Sequence, residues 1–211
     1  MHLALVVEGD GEVDSLPFLL RRWTGARGGN LPITFSRPLN ALGRGNLLKE
    51  GGIERFTALA AKLPGAQGIL VLLDAEAPCG SPLARGLAQR VRATEVAVPV
   101  AIVAAVPMYE AWLVASASAL AGRAIKGRPA LPATVTSLPA AESLPNPKRW
   151  IVDRLPRSRG YHEPQDQPAM TAWIDLGVVA ASCRSFRRLE HALMELSSPA
   201  SRASRGFVTP A

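Results

Sequence analysis

Apolar residues run without a break from Leu3 to Val7 and stop at Glu8-Gly9-Asp10-Gly11, a buried strand closed by a sharp turn. Leu16, Leu19, Leu20 and Trp23 then recur at helical spacing, with Arg21 and Arg22 on the other face. Gly25–Asn30 reads as loop, Leu31–Phe35 as a further strand and Gly43-Arg44-Gly45-Asn46 as a second loop. Ile53, Phe56, Leu59, Ala60 and Leu63 repeat as a helix that stops at Pro64-Gly65. Gly68–Leu73 is a second central strand, ending at Asp74. Pro82–Thr94 has the pattern of a basic amphipathic helix, Val96–Val106 contains a third strand, and Tyr109–Leu120 is helical. Strands that are apolar throughout and alternate with helices predict an α/β fold: a mostly parallel sheet with helices on both faces.

The periodicity lapses after residue 121. The division expected is an α/β core over 1–121, with 122–211 as a proline-rich insertion and a basic helical C-terminal region packing on it. Gly122–Pro147 is long and aperiodic. Its part from Arg128 to Pro147 carries Leu131, Val135, Leu138 and Leu144, so it reads either as a docking surface or as a plain surface insertion. Pro147 opens a helix containing Lys148, Arg149, Trp150 and Asp153. A second helix begins near Gln167, and a third spans Ser185–Leu196 with Phe186, Leu189, Leu193 and Leu196 facing inward. Ser198–Ala211, rich in Ser, Arg and Pro, is expected to fray.

Composition narrows the classes. With 48% hydrophobic and 19% charged residues the chain can bury a core, which excludes global disorder. Two cysteines, Cys79 and Cys183, exclude a disulfide scaffold and a Cys-rich zinc site. The first residues lack a basic region and read as a strand rather than a signal peptide. The longest apolar run, Val96 to Tyr109, is broken by Pro99 and Pro107, so no membrane span is expected and the cytoplasm is the expected compartment. The net charge of +7 is uneven: residues 121–211 carry 13 basic and 7 acidic side chains, against 11 and 10 before them. That asymmetry fits a polyanionic partner such as nucleic acid, or simply an Arg-rich surface. Trp112, Trp150 and Trp173 fit the core better than they fit base-stacking platforms, and Tyr161-His162-Glu163 could hold a general base, although His162 fits a loop residue better. Gly43-Arg44-Gly45 has the composition of a phosphate cradle but also of an ordinary turn. The chain lacks a Walker A loop and a dinucleotide-binding glycine fingerprint, so intrinsic ATPase or dehydrogenase chemistry is not expected.

Candidate chemistry lies where the strands end. In open α/β sheets ligands bind beyond the carboxyl ends of the strands. Glu8 follows the first strand, Asp74 follows the second with Glu76 two residues on, and Glu110 follows the third. An extended backbone after Asp74 would point both of its acids the same way. Glu12, four residues after Glu8, can reach the same crevice. Carboxylates with few His or Cys residues form a hard-oxygen set suited to Mg²⁺ or Mn²⁺. Taken singly, Glu110, Glu12 and Asp14 are also ordinary acids of a first helical turn, and Asp74-Ala75-Glu76 an ordinary solvated loop.

Val7-Glu8-Gly9, Leu72-Leu73-Asp74-Ala75-Glu76 and the acid after the next strand resemble the Toprim metal-binding pattern of topoisomerases, primases and OLD-type nucleases. More specifically, four stretches resemble the domain-of-unknown-function family 4276: Val7-Glu8-Gly9-Asp10-Gly11-Glu12, Pro107-Met108-Tyr109-Glu110-Ala111-Trp112-Leu113, Asn146-Pro147-Lys148-Arg149-Trp150 and Ser185-Phe186-Arg187-Arg188-Leu189. Members of that family look like Toprim domains and often stand beside ABC-type or other AAA ATPases in bacterial defence-like neighbourhoods. The resemblance implies a Toprim/Rossmann-like sheet with a C-terminal helical extension. It implies a metal-dependent phosphodiesterase or nuclease, with an ATPase partner and no membrane, and is compatible with a homodimer. On that reading Glu8, Glu12, Asp74, Glu76 and Glu110 hold Mg²⁺ or Mn²⁺, and Glu8, Asp74 and Lys148 carry the catalysis, Lys148 by neutralising phosphate charge. Arg149, Arg154, Arg157 and Arg159 track the nucleic-acid backbone. Two departures stand out: Glu76 replaces a second Asp, and Ser116 stands where an acid is expected. The competing class is a non-catalytic Toprim-like protein that binds nucleic acid or regulates an ATPase.

Overall fold

The computed structural model describes residues 1–26, 33–124, 131–156, 160–198 and 208–210. Strand β1 (His2–Val7) is an inner strand of the sheet, with Leu3 to Val7 wholly buried, as an apolar run without alternation requires. Helix α1 (Asp10–Ala26) follows, with Asp10 and Glu12 in its first turn, where the helix dipole favours acids. β2 (Thr34–Phe35) and β3 (Leu39–Asn40) are two short pieces of one edge, both parallel to β1. Between them the Leu5 N–H donates to Ser36 Oγ at 3.1 Å instead of to a strand carbonyl. Residues 31 and 32 of the longer strand expected here lie outside the described residues.

A short helix α2 (Arg44–Leu48) replaces the loop expected at Gly43–Asn46, and α3 (Gly52–Ala61) leads to β4 (Gly68–Asp74). Next come α4 (Ser81–Arg92) and β5 (Val100–Ala105). The helix expected over 109–120 is two helices, α5 (Glu110–Ala115) and α6 (Ala117–Leu120), broken at Ser116. α7 (Pro147–Val152) starts at Pro147, its first turn capped by the Asn146 side chain, which accepts the Arg149 N–H. α8 (Glu163–Thr171), α9 (Leu176–Ser182) and α10 (Arg184–Ser197) complete the helices. The last strand, β6 (Val208–Pro210), pairs parallel with Val100–Ile102 of β5, so part of the tail expected to fray extends the sheet.

The parallel strands lie in the order β2-β1-β4-β5-β6, with β3 also on β1. From β1 the chain moves outward to β2 and β3, then returns past β1 to form β4. The order therefore reverses between β1 and β4, which is where a doubly wound sheet opens its ligand crevice. Helices cover both faces. On one, Leu3, Leu5 and Val7 pack with α1, α5 and the C-terminal helices in a continuous core that includes Ile151, Met170 and Phe186. On the other, Ala4, Val6 and Ile69 pack with α2, α3 and α4. Leu131 is buried, and Val135, Leu138 and Leu144 pack against the first core. The apolar residues that suggested a docking surface in the proline-rich stretch therefore face the protein's own interior. Among the described residues no helix is long and apolar enough to cross a membrane.

Candidate functional site

Four of the five acids expected at the strand ends share one crevice. Glu8, at the end of β1, accepts the backbone N–H of Asp74 at 3.0 Å through Oε2. Asp74, at the end of β4, accepts the N–H of Tyr109 at 2.9 Å through Oδ1, while its other oxygen accepts no hydrogen bond among the described residues. Glu12 projects from the first turn of α1 and accepts the Gly9 N–H at 3.1 Å. Glu110 opens α5 and is 2% exposed, against 9% for Glu12.

Their electrostatics are unusual because all four shift the same way. Burial raises the Asp74 carboxyl well above its ordinary value, and the charges of Glu110, Glu12 and Glu8 raise it further. Solvent still reaches part of Asp74 through the crevice. Burial is also the largest cause of the upward shifts of Glu8, Glu12 and Glu110. Among the described residues none of the four forms an ion pair. The cations at the rim are engaged elsewhere: Arg44 binds Glu76, and Lys148 binds Glu163.

Glu76 does not line up with Asp74. Its φ of 49° puts it in the left-handed region, which a non-glycine residue adopts at a cost, so the extended backbone expected after Asp74 ends there. The Glu76 side chain is exposed and meets Arg44 at 2.9 Å. Arg44 also donates to the Ala75 carbonyl at 3.0 Å, and Gly43 donates its N–H to the Glu8 carbonyl at 2.8 Å. The Gly43-Arg44-Gly45 segment thus braces the two strand ends. Ser116 lies apart from the carboxylates: it is buried, and its Oγ accepts the Asp175 N–H at 2.7 Å just before α9.

Three further side chains complete the site, two of them from the Tyr161-His162-Glu163 stretch. The Tyr161 hydroxyl donates to Glu110 Oε1 at 3.0 Å. Gln167, from α8, donates to Glu12 Oε1 at 3.1 Å and to Glu110 Oε1 at 3.4 Å. Glu163 adds a negative charge that raises both Glu8 and Glu110, and it carries Lys148 to the rim of the cluster. The Glu-Gly-Asp-Gly-Glu stretch has a further use in this arrangement. A Cβ on Gly11 would stand 2.8 Å from Gln167 Oε1, so glycine is what lets the amide approach α1 this closely.

The expected arginine stripe is partly committed to internal partners. Arg149 pairs with Asp153 at 2.7 Å, and Arg154 stacks on the half-buried Trp150 ring at 3.9 Å. Arg157 and Arg159 lie outside the described residues. Trp112 is a core residue, wholly buried and donating to Ser185 Oγ at 2.8 Å. Trp173 departs from the core expected for it: it is 46% exposed and lies beneath Arg123.

The cluster suits a hard cation in donor chemistry and in its uncompensated charge. It is not preassembled around one. Among the described residues no three His, Cys, Asp or Glu side chains are placed to hold an ion together, and hydrogen bonds engage oxygens of each acid. No curated protein and no solved structure matches the chain significantly. Residues 7–194, the whole span of the site included, match the model of a family described as a domain of unknown function, and the chain belongs to that family, DUF4276.

Proposed function

We propose that the protein is a divalent-metal-dependent phosphodiesterase acting on nucleic acid, working with an ABC/AAA-type ATPase. The observation that carries this reading is the gathering of Glu8, Asp74, Glu110 and Glu12 at the β1/β4 crevice with no side-chain cation paired to any of them among the described residues. Nothing in a stable core needs four unpaired acids, whereas a site that recruits Mg²⁺ or Mn²⁺ does. Held by these carboxylates, the metal would polarise a phosphoryl oxygen and help generate hydroxide. Glu8 fixes the mouth of the crevice by accepting the Asp74 backbone N–H, and Asp74 by accepting that of Tyr109. Tyr161 orients Glu110. Lys148 is held at the rim by Glu163 and can exchange that partner for a substrate phosphate. Glu76, paired with Arg44, acts at the periphery rather than among the inner acids. The ATPase partner rests on the resemblance to a family whose members often stand beside such ATPases.

A second reading has its own support. The acids are not preassembled around an ion, and Lys148 is already paired, as suits a non-catalytic protein that binds nucleic acid or regulates an ATPase. Incubating labelled DNA and RNA with the protein under Mg²⁺ and Mn²⁺, with and without a neighbouring ATPase, separates the two. Cleavage that disappears in Asp74→Asn supports the phosphodiesterase. Binding without cleavage under every condition supports the second reading.

A further inference from the structure

Gln167 is 1% exposed, yet its amide meets two carboxylates that come from different helices. Nε2 serves both of them, while Oε1 is buried without a hydrogen-bond partner. An unpaired buried acceptor is costly, so a purely structural glutamine at this position is a poor choice. The side chain has little freedom to move. Oε1, Cδ and Nε2 all lie 2.8 to 3.0 Å from where a Gly11 Cβ would be, so the amide is seated directly against the α1 backbone. One turn further on, Thr171 Oγ1 donates to the Gln167 carbonyl and meets the Tyr109 hydroxyl, tying this part of α8 to the start of α5.

A clamped amide retains one motion, rotation about its last bond, which exchanges Oε1 and Nε2 and moves nothing else. In the arrangement observed, the N–H groups face the acids and offset their repulsion. In the exchanged arrangement an oxygen would face two carboxylate oxygens, which is favourable only with a cation among them. The separations of 3.1 and 3.4 Å between Nε2 and the two acids are close to the spacing of about 2.9 Å between neighbouring oxygens on an octahedral cation with bonds of about 2.0–2.1 Å. An oxygen in the place of Nε2 would stand beside one oxygen of each acid, in reach of a cation that they hold.

We propose that Gln167 is a cation ligand of this site, donating to Glu12 and Glu110 in the ion-free protein and turning Oε1 onto bound Mg²⁺ or Mn²⁺ beside them. The inference rests on the metal-binding part of the proposed function. It explains why the position holds an amide: a neutral side chain supports the acids when the ion is absent and joins them when it is present, which a further carboxylate cannot do.

The test is calorimetric titration of Mn²⁺ into the wild type, Gln167→Met and Gln167→Glu, with circular dichroism and melting curves for each. The expected results are Mn²⁺ affinity reduced about 10-fold or more in Gln167→Met, and a metal-induced rise in Tm that is larger in Gln167→Glu than in the wild type. Equal affinity in the wild type and a folded Gln167→Met overturns the role of Gln167 and leaves the carboxylate site standing. A wild type that takes up no Mn²⁺ overturns the metal reading and this inference together. If Gln167→Met does not fold, Gln167→Glu decides alone: a metal-induced rise equal to or below that of the wild type overturns the proposal.

Discussion

The Glu8 carboxylate, at the end of β1, accepts the backbone N–H of Asp74, at the end of β4, across 3.0 Å. This bond spans the point where the sheet reverses its winding, and it brings the carboxyl groups of two strand ends into one electrostatic unit. Burial raises the proton affinity of both groups, and the charges of Glu110, Glu12 and Glu8 raise that of Asp74 further.

Replacing Asp74 with Asn should therefore stabilise the metal-free protein. Asn retains an oxygen for the Tyr109 N–H and removes one of the mutually repelling charges. The expected gain is about 0.5–2 kcal/mol, the usual scale of a relieved site, or a rise in Tm of roughly 2–6 °C for a chain of this size. Melting curves in chelator decide it: an unchanged or lower Tm would mean that Asp74 serves the fold.

Stability without metal should fall as the pH rises. Glu8, Glu12, Asp74 and Glu110 have folded-state values above their unfolded ones. The folded chain therefore keeps protons that the unfolded chain has lost. The destabilisation is absent below about pH 3, where both states are protonated, and it grows until the native groups have ionised. Glu54 acts in the opposite sense, since its bond to Arg90 lowers its value and its contribution is lost in acid. Tm measured in chelator between about pH 4 and 8 should decline in the wild type and decline less steeply in Asp74→Asn. A parallel profile in the two proteins would contradict the shared cluster.

Gly11→Ala should disturb the site from outside the carboxylates. The added Cβ meets the Gln167 amide at 2.8 Å and must push it from Glu12 and Glu110. Overpacking of this kind costs about 1–3 kcal/mol. Urea unfolding measures that loss, and wild-type stability in the variant would show that α1 and α8 yield freely.

Nucleic-acid binding should depend steeply on salt, with each neutralised duplex phosphate adding about 0.9 to the log–log slope. Replacing Arg149, Arg154, Arg157 and Arg159 together with Gln should flatten the slope. The share of Arg149 is expected to be small, because it is already paired with Asp153. An unaltered slope and affinity would move the binding surface to other basic residues.

The strand ends were readable from the chain because each apolar run there stops at an acid, so Glu8, Asp74 and Glu110 mark the crevice before any coordinates are known. Glu12 was readable from its place four residues after Glu8. Glu76 was misplaced because alternation of side chains holds only while the backbone is extended, and its φ of 49° breaks that rule one residue after Ala75. Gln167 left no pattern to find. A buried glutamine inside a polar helix looks like a surface residue until α8 is seen against α1. Ser116 resembled a missing acid, but it is a helix break that supports the turn before α9. β6 was hidden because three residues with a proline at the end carry too little periodicity to signal a strand.

Whether the acids at the β1/β4 crevice form a cation site is decided by Mn²⁺ titration of the wild type beside Asp74→Asn. Saturable binding and a metal-dependent rise in Tm are expected in the wild type, both lost in a folded Asp74→Asn. Equal Mn²⁺ affinity in the two proteins, or no binding to either, would rule out a cation site built on Asp74.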